Sequence, residues 1–169
     1  MGLACDICNA VCCKNALITI TSFDMLRIRD NTGKMPEEFC CLYEPKMIRV
    51  NWNTVIETKQ GLYVLAIKSR PCIFLNGKTC SIFNFAPLSC KIYPHNFEKN
   101  ISSFALCNSI SKVIFKINNP GFSYIEQFRE EYEKYIDIVR KTSALKLDRE
   151  NVIKHLENET EKIIHNNKK

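Results

Sequence analysis

The sequence predicts an α+β protein in which a small, cysteine-rich strand-and-loop module precedes a C-terminal helical hairpin. Three observations lead to this prediction. The chain of 169 residues contains ten cysteines, eight of them before residue 14 or after residue 71. Short apolar runs bounded by turn residues occupy the middle of the chain, and two long stretches of helical periodicity close it. We assign residues 1–121 to a metal-binding module and 122–169 to the hairpin, packed together as one compact unit.

Length and composition are those of a globular protein, with 46% hydrophobic residues. A chain this long buries a core without cross-links. No basic segment followed by an apolar segment precedes the first cysteine, as a secretory signal would require, and apolar runs such as 62–67 are too short to span a bilayer. We therefore predict a cytoplasmic protein without a membrane partner, whose cysteines serve as metal ligands or redox groups rather than structural disulfides.

The positive charge of the chain lies beside the cysteines. The net charge is +6, yet residues 123–169 carry ten basic and ten acidic side chains, so the whole excess belongs to residues 1–122. Metal-bound cysteines are thiolates, and eight of them on two divalent ions, or on two clusters with 2+ cores, would add a charge of about −4. A cysteine site therefore explains the basicity better than nucleic acid does, and nucleic acid is an unlikely partner.

Turn residues, caps and apolar runs predict the elements of the module. A helix is predicted over 23–29, with Thr21 or Ser22 as its cap and Asp24 in its first turn. The predicted strands are 17–20, 47–52, 54–58, 62–68, 101–109 and 112–117. Residues 70–96 are rich in Pro, Gly and Asn between cysteines, which is typical of a loop that carries ligands.

The hairpin is predicted from apolar residues at helical spacing. The first helix, within 123–142, has Ile125, Phe128, Tyr132, Tyr135, Ile136 and Val139 as its apolar positions. The second helix would begin after Asp148 as its cap, and its apolar face has Val152, Ile153, Leu156, Ile163 and Ile164.

Eight cysteines are candidate metal ligands, each acting as a thiolate. They are Cys5, Cys8, Cys12, Cys13, Cys72, Cys80, Cys90 and Cys107. The Cys5–Cys8 spacing lets two sulfurs bind one ion from a tight turn. Four sulfurs satisfy tetrahedral zinc or hold an iron–sulfur cluster, whereas hard cations do not prefer sulfur. The set divides into one or two sites, and the spacing leaves the pairing open.

Two pairs of cysteines are adjacent in the sequence, Cys12 with Cys13 and Cys40 with Cys41. In an extended backbone Cys12 and Cys13 would point to opposite sides. One would then serve a different site from its neighbour, or pack as a buried thiol. Cys40 and Cys41 are predicted to be buried thiols near Phe39, with an auxiliary ligand or a redox pair as the alternative.

Predictions also follow for a histidine and for several aromatic residues near the cysteines. His95 is predicted to lie on a surface loop, with a second role at the metal site as the alternative. The aromatic residues Trp52, Phe74, Phe83, Phe85 and Tyr93 are predicted to be core residues that can also shield a cluster from water.

The order and spacing of the cysteines resemble those of a known family. Cys5-x2-Cys8-x3-Cys12-Cys13 is followed by P-C-x-F-L at 71–75, C-S-I-F at 80–83 and P-L-S-C-K-I-Y-P at 87–94. This series is similar to the YkgJ-type cysteine-cluster family, described as a zinc- or iron-chelating domain, over roughly residues 5–107. One relative in that family, a flagellin lysine methylase, is associated with iron–sulfur chemistry.

The chain departs from that family around Cys90. The family often has Arg-Pro before this cysteine and Arg after it, where this chain has Ala86-Pro87 and Lys91. Tyr93-Pro94 stands where Phe-Pro is usual. A role that needs a guanidinium group is therefore not expected here, since lysine lacks the planar fork and alanine lacks the charge.

The predicted function is that of a metal-binding protein that chelates zinc or iron, with a [4Fe-4S] cluster as one form of the iron. The alternatives are a cluster-dependent redox or methyltransferase-associated enzyme component and a zinc-stabilised nucleic-acid-binding module. The five glycines form neither G-x-G-x-x-G nor a phosphate loop. An enzymatic role would therefore require a protein partner.

Overall fold

The computed structural model describes residues 9–47, 50–97, 100, 106, 108–117 and 120–166. Its helices are α1 Val11–Asn15, α2 Ser22–Thr32, α3 Pro36–Phe39, α4 Leu88–Ile92, α5 Ser109–Ile117, α6 Ile125–Ala144 and α7 Arg149–Asn166. Its strands are β1 Cys40–Tyr43, β2 Ile56–Thr58, β3 Gly61–Ile67, β4 Leu75–Asn76 and β5 Thr79–Cys80. Short 3-10 helices cover Pro45–Met47, Trp52–Thr54, Phe83–Phe85 and Pro120–Tyr124. The predicted α+β class is confirmed.

The larger sheet has the antiparallel order β1-β3-β2, and β4 pairs with β5 in a separate hairpin. The strands predicted at 54–58 and 62–68, with the turn between them, are confirmed by the pairing of Ile56 with Tyr63. Strand β1 was not predicted. The strand predicted at 17–20 is reduced to one bridge between Thr19 and Ala66, because this segment pairs with the end of β3, the central strand, over only a few residues.

Helix α2 begins as predicted. Thr21 is its cap, and the Thr21 hydroxyl accepts a hydrogen bond from the Asp24 N–H while the Asp24 carboxylate accepts one from the Thr21 N–H. This reciprocal pair satisfies two of the N–H groups that the first turn of a helix leaves without partners. The helix ends at Gly33, whose φ of 68° is a left-handed conformation that glycine adopts without steric cost.

Two predicted strands are wrong where the structure describes them. Residues 112–117 form the second half of α5, because Ile110, Val113 and Ile114 lie at helical spacing once the segment is followed from Ser109. Around 47–52, Met47 ends one 3-10 helix and Trp52 begins another, while 48–49 lie outside the described residues. Of the strand predicted at 101–109, residues 101–105 and 107 lie outside the described residues, residues 106 and 108 belong to no helix or strand, and Ser109 already belongs to α5.

The segment 70–96 contains more regular structure than the predicted loop. It folds into the β4–β5 hairpin and the short helix α4. Both elements are too short for hydrophobic periodicity to show them in the sequence. They matter because β5 ends at Cys80 and α4 contains Cys90.

Helices α6 and α7 pack against α2 and the sheet, and the predicted helical pair is present. Tyr135, Val139 and Leu156 are each 2% exposed or less. Arg27 of α2 binds Glu131 at 2.6 Å, and Arg29 binds Glu157 at 2.5 Å. These ion pairs join the hairpin to the helix that follows the first cysteines. The division of the chain at residue 121 stays a prediction.

None of the helices in the described ranges is long and apolar enough to cross a membrane.

Candidate metal centre

Five of the eight predicted ligands line one cavity of about 260 Å³. They come from four separate parts of the chain: Cys12 and Cys13 from α1, Cys72 from the segment before β4, Cys80 from β5 and Cys90 from α4. Cysteines as many as 78 positions apart in the sequence, Cys12 and Cys90, therefore line the same space. Cys5, Cys8 and Cys107 lie outside the described residues.

Backbone hydrogen bonds hold these segments together. The Cys72 N–H donates to the Cys13 carbonyl at 2.8 Å, which ties the first cysteine cluster to the later ones. Cys80 pairs with Leu75 across the β4–β5 hairpin. The Cys90 N–H donates to the Pro87 carbonyl at 2.9 Å within the first turn of α4. The positions of the cysteines are therefore set by the backbone.

The expectation that Cys12 and Cys13 point to opposite sides is wrong. It assumed an extended backbone, whereas residues 11–15 are helical, and neighbouring side chains on a helix diverge by only about 100°. Their sulfurs are 4.0 Å apart and both side chains line the cavity. Two sulfurs on one tetrahedral ion with bonds of about 2.3 Å would lie about 3.8 Å apart. The pair is thus spaced to share one ion or one cluster.

Apolar side chains form most of the remaining wall. Phe74, Phe83 and Tyr93 line the cavity, which is the position that the predicted shielding role requires, and that role stays a prediction. Phe85 instead packs against the hydrophobic core, and Trp52 is 69% exposed and does not line the cavity. An apolar wall excludes water from a metal centre and lowers the local dielectric.

The helix α4 is anchored by a buried carboxylate for which the sequence predicts only a place in the first turn of α2. Asp24 is 1% exposed, and its carboxylate accepts a hydrogen bond from the Leu88 N–H at 2.9 Å. The same oxygen binds Arg27 at 2.6 Å. The contact joins residues 64 positions apart, so no local sequence signal could have revealed it.

The segment that carries these cysteines matches a known protein family. A family model, CxxCxxCC, described as "Putative zinc- or iron-chelating domain", matches residues 4–110. The chain belongs to the CxxCxxCC family. The matched segment contains all eight predicted ligands, and the predicted resemblance is thereby confirmed. Membership supports metal binding by this chain, with zinc or iron as the metal. No curated protein and no solved structure shows significant similarity to the chain.

The donor set of this CxxCxxCC domain fits a soft metal. Thiolates select zinc, iron–sulfur clusters and similar centres, whereas carboxylates and carbonyls select magnesium and calcium. Within the described ranges, no three His, Cys, Asp or Glu side chains are already arranged to hold an ion.

The second adjacent pair lies away from the cavity. Cys40 is 1% exposed, and its thiol donates to the Pro36 carbonyl at 3.1 Å. Burial raises the pKa of Cys40 far above its usual range, so it remains a thiol as predicted. Cys41, its neighbour in β1, is half-buried and hydrogen-bonds to Tyr43.

The prediction that His95 lies on the surface is wrong. His95 is 7% exposed and contacts the ring of Phe122 edge-on, with the ring centres 4.9 Å apart. The backbone N–H of His95 donates to the Ile92 carbonyl at 3.0 Å, and this hydrogen bond closes the turn after α4. This turn folds the imidazole inward, and burial lowers its pKa.

The thiols around the cavity differ in acidity. A hydrogen bond from Cys12 lowers the pKa of Cys13 to about 7, whereas burial raises the pKa of Cys72 to about 11. Burial also raises the pKa of Cys80 and Cys90. Neutral thiols are favoured at most of these positions before a metal binds, and metal binding must release their protons.

This difference predicts selective alkylation in the metal-free protein. Because the thiolate is the nucleophile, iodoacetamide should modify Cys13 half-maximally near pH 7 and Cys72 only at a pH several units higher. Peptide mass spectrometry across a pH series measures both. Equal labelling of Cys13 and Cys72 at pH 7 would show that Cys12 does not lower the pKa of Cys13. Replacing Cys12 with alanine should shift the Cys13 profile upward, while the Cys72 profile serves as the internal control.

Proposed function

We propose that this protein is an iron-binding protein that holds an iron–sulfur cluster through cysteine thiolates, with zinc as the competing occupant. One observation carries the proposal: five thiols from four segments line a single, largely apolar cavity of about 260 Å³. Membership in a zinc- or iron-chelating family supports it.

The size of the cavity favours a cluster over a single ion. Four thiolates at about 2.3 Å from zinc close around the ion and leave no room for further atoms. One water molecule needs about 10–15 Å³ of cavity volume measured in this way, so a cavity of about 260 Å³ has space for iron together with bridging sulfide. The apolar wall would keep water from that cluster, and exposure to water is one of the factors that set its potential.

We propose Cys12, Cys13, Cys72, Cys80 and Cys90 as ligands from the described part of the chain. Cys5, Cys8 and Cys107 complete the predicted set of eight, which is enough for one or two four-sulfur centres. The positive charge of residues 1–122 supports a site that collects thiolates. A bound cluster would supply electron transfer or Lewis acidity, and the chain would supply the ligands and exclude water.

Anaerobic purification tests the proposal. Iron, zinc and acid-labile sulfide should be measured on one sample whose visible spectrum is also recorded. We expect iron and sulfide in equal amounts with broad visible absorption that fades on exposure to air. Colourless protein with bound zinc would replace the cluster by a zinc centre in the same cavity, and folded protein without metal would contradict metal binding altogether.

A further inference from the structure

Positively charged side chains accompany the cysteines that line the cysteine cavity. Each of the four segments that bring a cysteine to the cavity carries one cation within two positions of that cysteine. We call these four cations the basic rim: Lys14, Arg70, Lys78 and Lys91. Residues 9–20 and 70–97, which contain the four segments, have no aspartate or glutamate. The chain around the cavity therefore carries charge of one sign.

The cations of the basic rim have no acidic partner within the described part of the chain. None of its ion pairs includes one of them. Arg70 and Lys78 are exposed. The Lys91 ammonium donates to the Asn84 carbonyl at 2.7 Å, and a carbonyl is a neutral acceptor that leaves the charge uncompensated. The positive charge of the rim is thus available to a partner.

A bound metal centre would cancel only part of this charge. Four thiolates on a zinc ion, or on a cluster with a 2+ core, contribute a net charge of about −2. The four cations of the basic rim exceed it, and an excess of about +2 remains, or about +1 with a fifth thiolate. The rim therefore stays positive whichever metal the cavity holds.

Exposed apolar side chains lie between these cations along the chain. Ile73, next to Cys72, is 39% exposed, and Phe83, which itself lines the cavity, is 37% exposed. Apolar side chains surrounded by polar and charged ones are typical of protein–protein interfaces, in which Phe and Arg are enriched. A nucleic-acid backbone would pair with the cations through its phosphates but would leave Ile73 in contact with water. The composition of this surface favours a protein.

We propose that the basic rim is a docking surface for a protein with an acidic face, whose carboxylates pair with the four cations while its apolar side chains cover Ile73 and Phe83. Opposite charges steer such a partner toward the surface and fix its orientation there. The partner would dock beside the cysteines. Because the rim belongs to the chain itself, the proposal goes beyond metal binding and does not rest on the identity of the metal.

Calorimetric titration of the protein, as purified with its metal, uses two acidic peptides as probes. They have the same length and the same glutamates, and the remaining positions are leucine in one peptide and serine in the other. We expect both to bind with an affinity that falls as salt is added, and the leucine peptide to bind more tightly. Ile73→Ser should abolish that difference. No binding, or equal affinities for the two peptides, would overturn the proposal.

A DNA duplex with the same number of charges is the third probe. Tighter binding of this duplex than of the leucine peptide would assign the basic rim to nucleic acid and so reject a protein partner. Weaker binding of the duplex supports the acidic protein, because the apolar side chains of the surface then contribute to recognition.

Charge reversal locates the binding surface. Arg70→Glu combined with Lys78→Glu should weaken binding of the leucine peptide at least about tenfold, since two attractive contacts become repulsive. The matched control combines Lys134→Glu with Lys154→Glu, which makes the same change in net charge at exposed positions of α6 and α7. Equal losses in the two double variants would show that binding follows net charge rather than the rim. Metal content, measured on each variant, separates that result from a failure of the proposed metal centre.

Discussion

Replacing Cys90 with serine will strip the protein of most of its metal. Cys90 lines the cavity on α4, where burial first and then the proximity of Cys13, Cys72 and Cys80 raise its pKa. A serine hydroxyl is a poor substitute for a thiolate on iron or zinc. Loss of a group that merely orients a ligand weakens metal binding by about 10–100-fold, and loss of a ligand itself should exceed that range. Iron, zinc and sulfide per chain, measured after anaerobic purification, report the effect.

The matched control is Cys40→Ser. Cys40 is also buried, but its thiol donates to the Pro36 carbonyl away from the cavity, and a serine hydroxyl can donate to the same carbonyl. Its metal content should equal that of the unmodified protein. If Cys90→Ser retains the same metal content as Cys40→Ser, Cys90 is not a ligand, and the proposed metal centre must be assigned to other residues.

Replacing Asp24 with asparagine should produce the largest loss of stability from a single conservative change. The Asp24 carboxylate accepts hydrogen bonds from Thr21, Arg27 and Leu88 while 1% exposed. Asparagine removes the charge and turns one acceptor into a donor that faces these donors. Removing one partner of a buried ion pair costs about 3–5 kcal/mol, and Glu131 retains part of the pairing with Arg27. We therefore expect a loss of about 3 kcal/mol, measured by urea unfolding.

Asp30→Asn is the control for this change. Asp30 lies on the same helix and binds Arg29, but its side chain is 60% exposed. Exposed pairs contribute about 0–1 kcal/mol, so the midpoint of unfolding should barely move. Because the Leu88 N–H begins α4, the Asp24 variant should also bind metal more weakly than the Asp30 variant. Equal stability of the two variants would show that Asp24 does not anchor α4.

Local signals were sufficient for several elements. Thr21 and Asp24 are three residues apart, and a capping box needs only that spacing. Strand β3 is a continuous apolar run of a length typical of a buried strand, and the two helices of the hairpin carry apolar residues at helical spacing over many positions. The eight cysteines were identified in the same way, from spacing within short segments and from their order along the chain.

The predictions were wrong where a segment is too short to show its own pattern or where its structure depends on a turn or a distant partner. Residues 112–117 read alone are as apolar as a strand, and helical spacing appears only when Ile110 is included. Strand β1 forms because Cys41 and its neighbours pair with β3, with Cys41 opposite Ala66. A segment of four residues is too short for a periodic pattern to predict such pairing. His95 is buried by a turn that closes on Ile92.

The amino-acid sequence by itself predicted a soft, sulfur-only donor set and determined the fold class, the cap of α2 and the apolar faces of the two long helices, because each depends on residue type or on spacing within a few turns. Only the tertiary structure decided which cysteines share a cavity, that Cys12 and Cys13 face it together, and that Asp24 holds the helix of Cys90. These features join residues that are far apart in the chain, and their proximity results from the packing of the whole core rather than from any local preference.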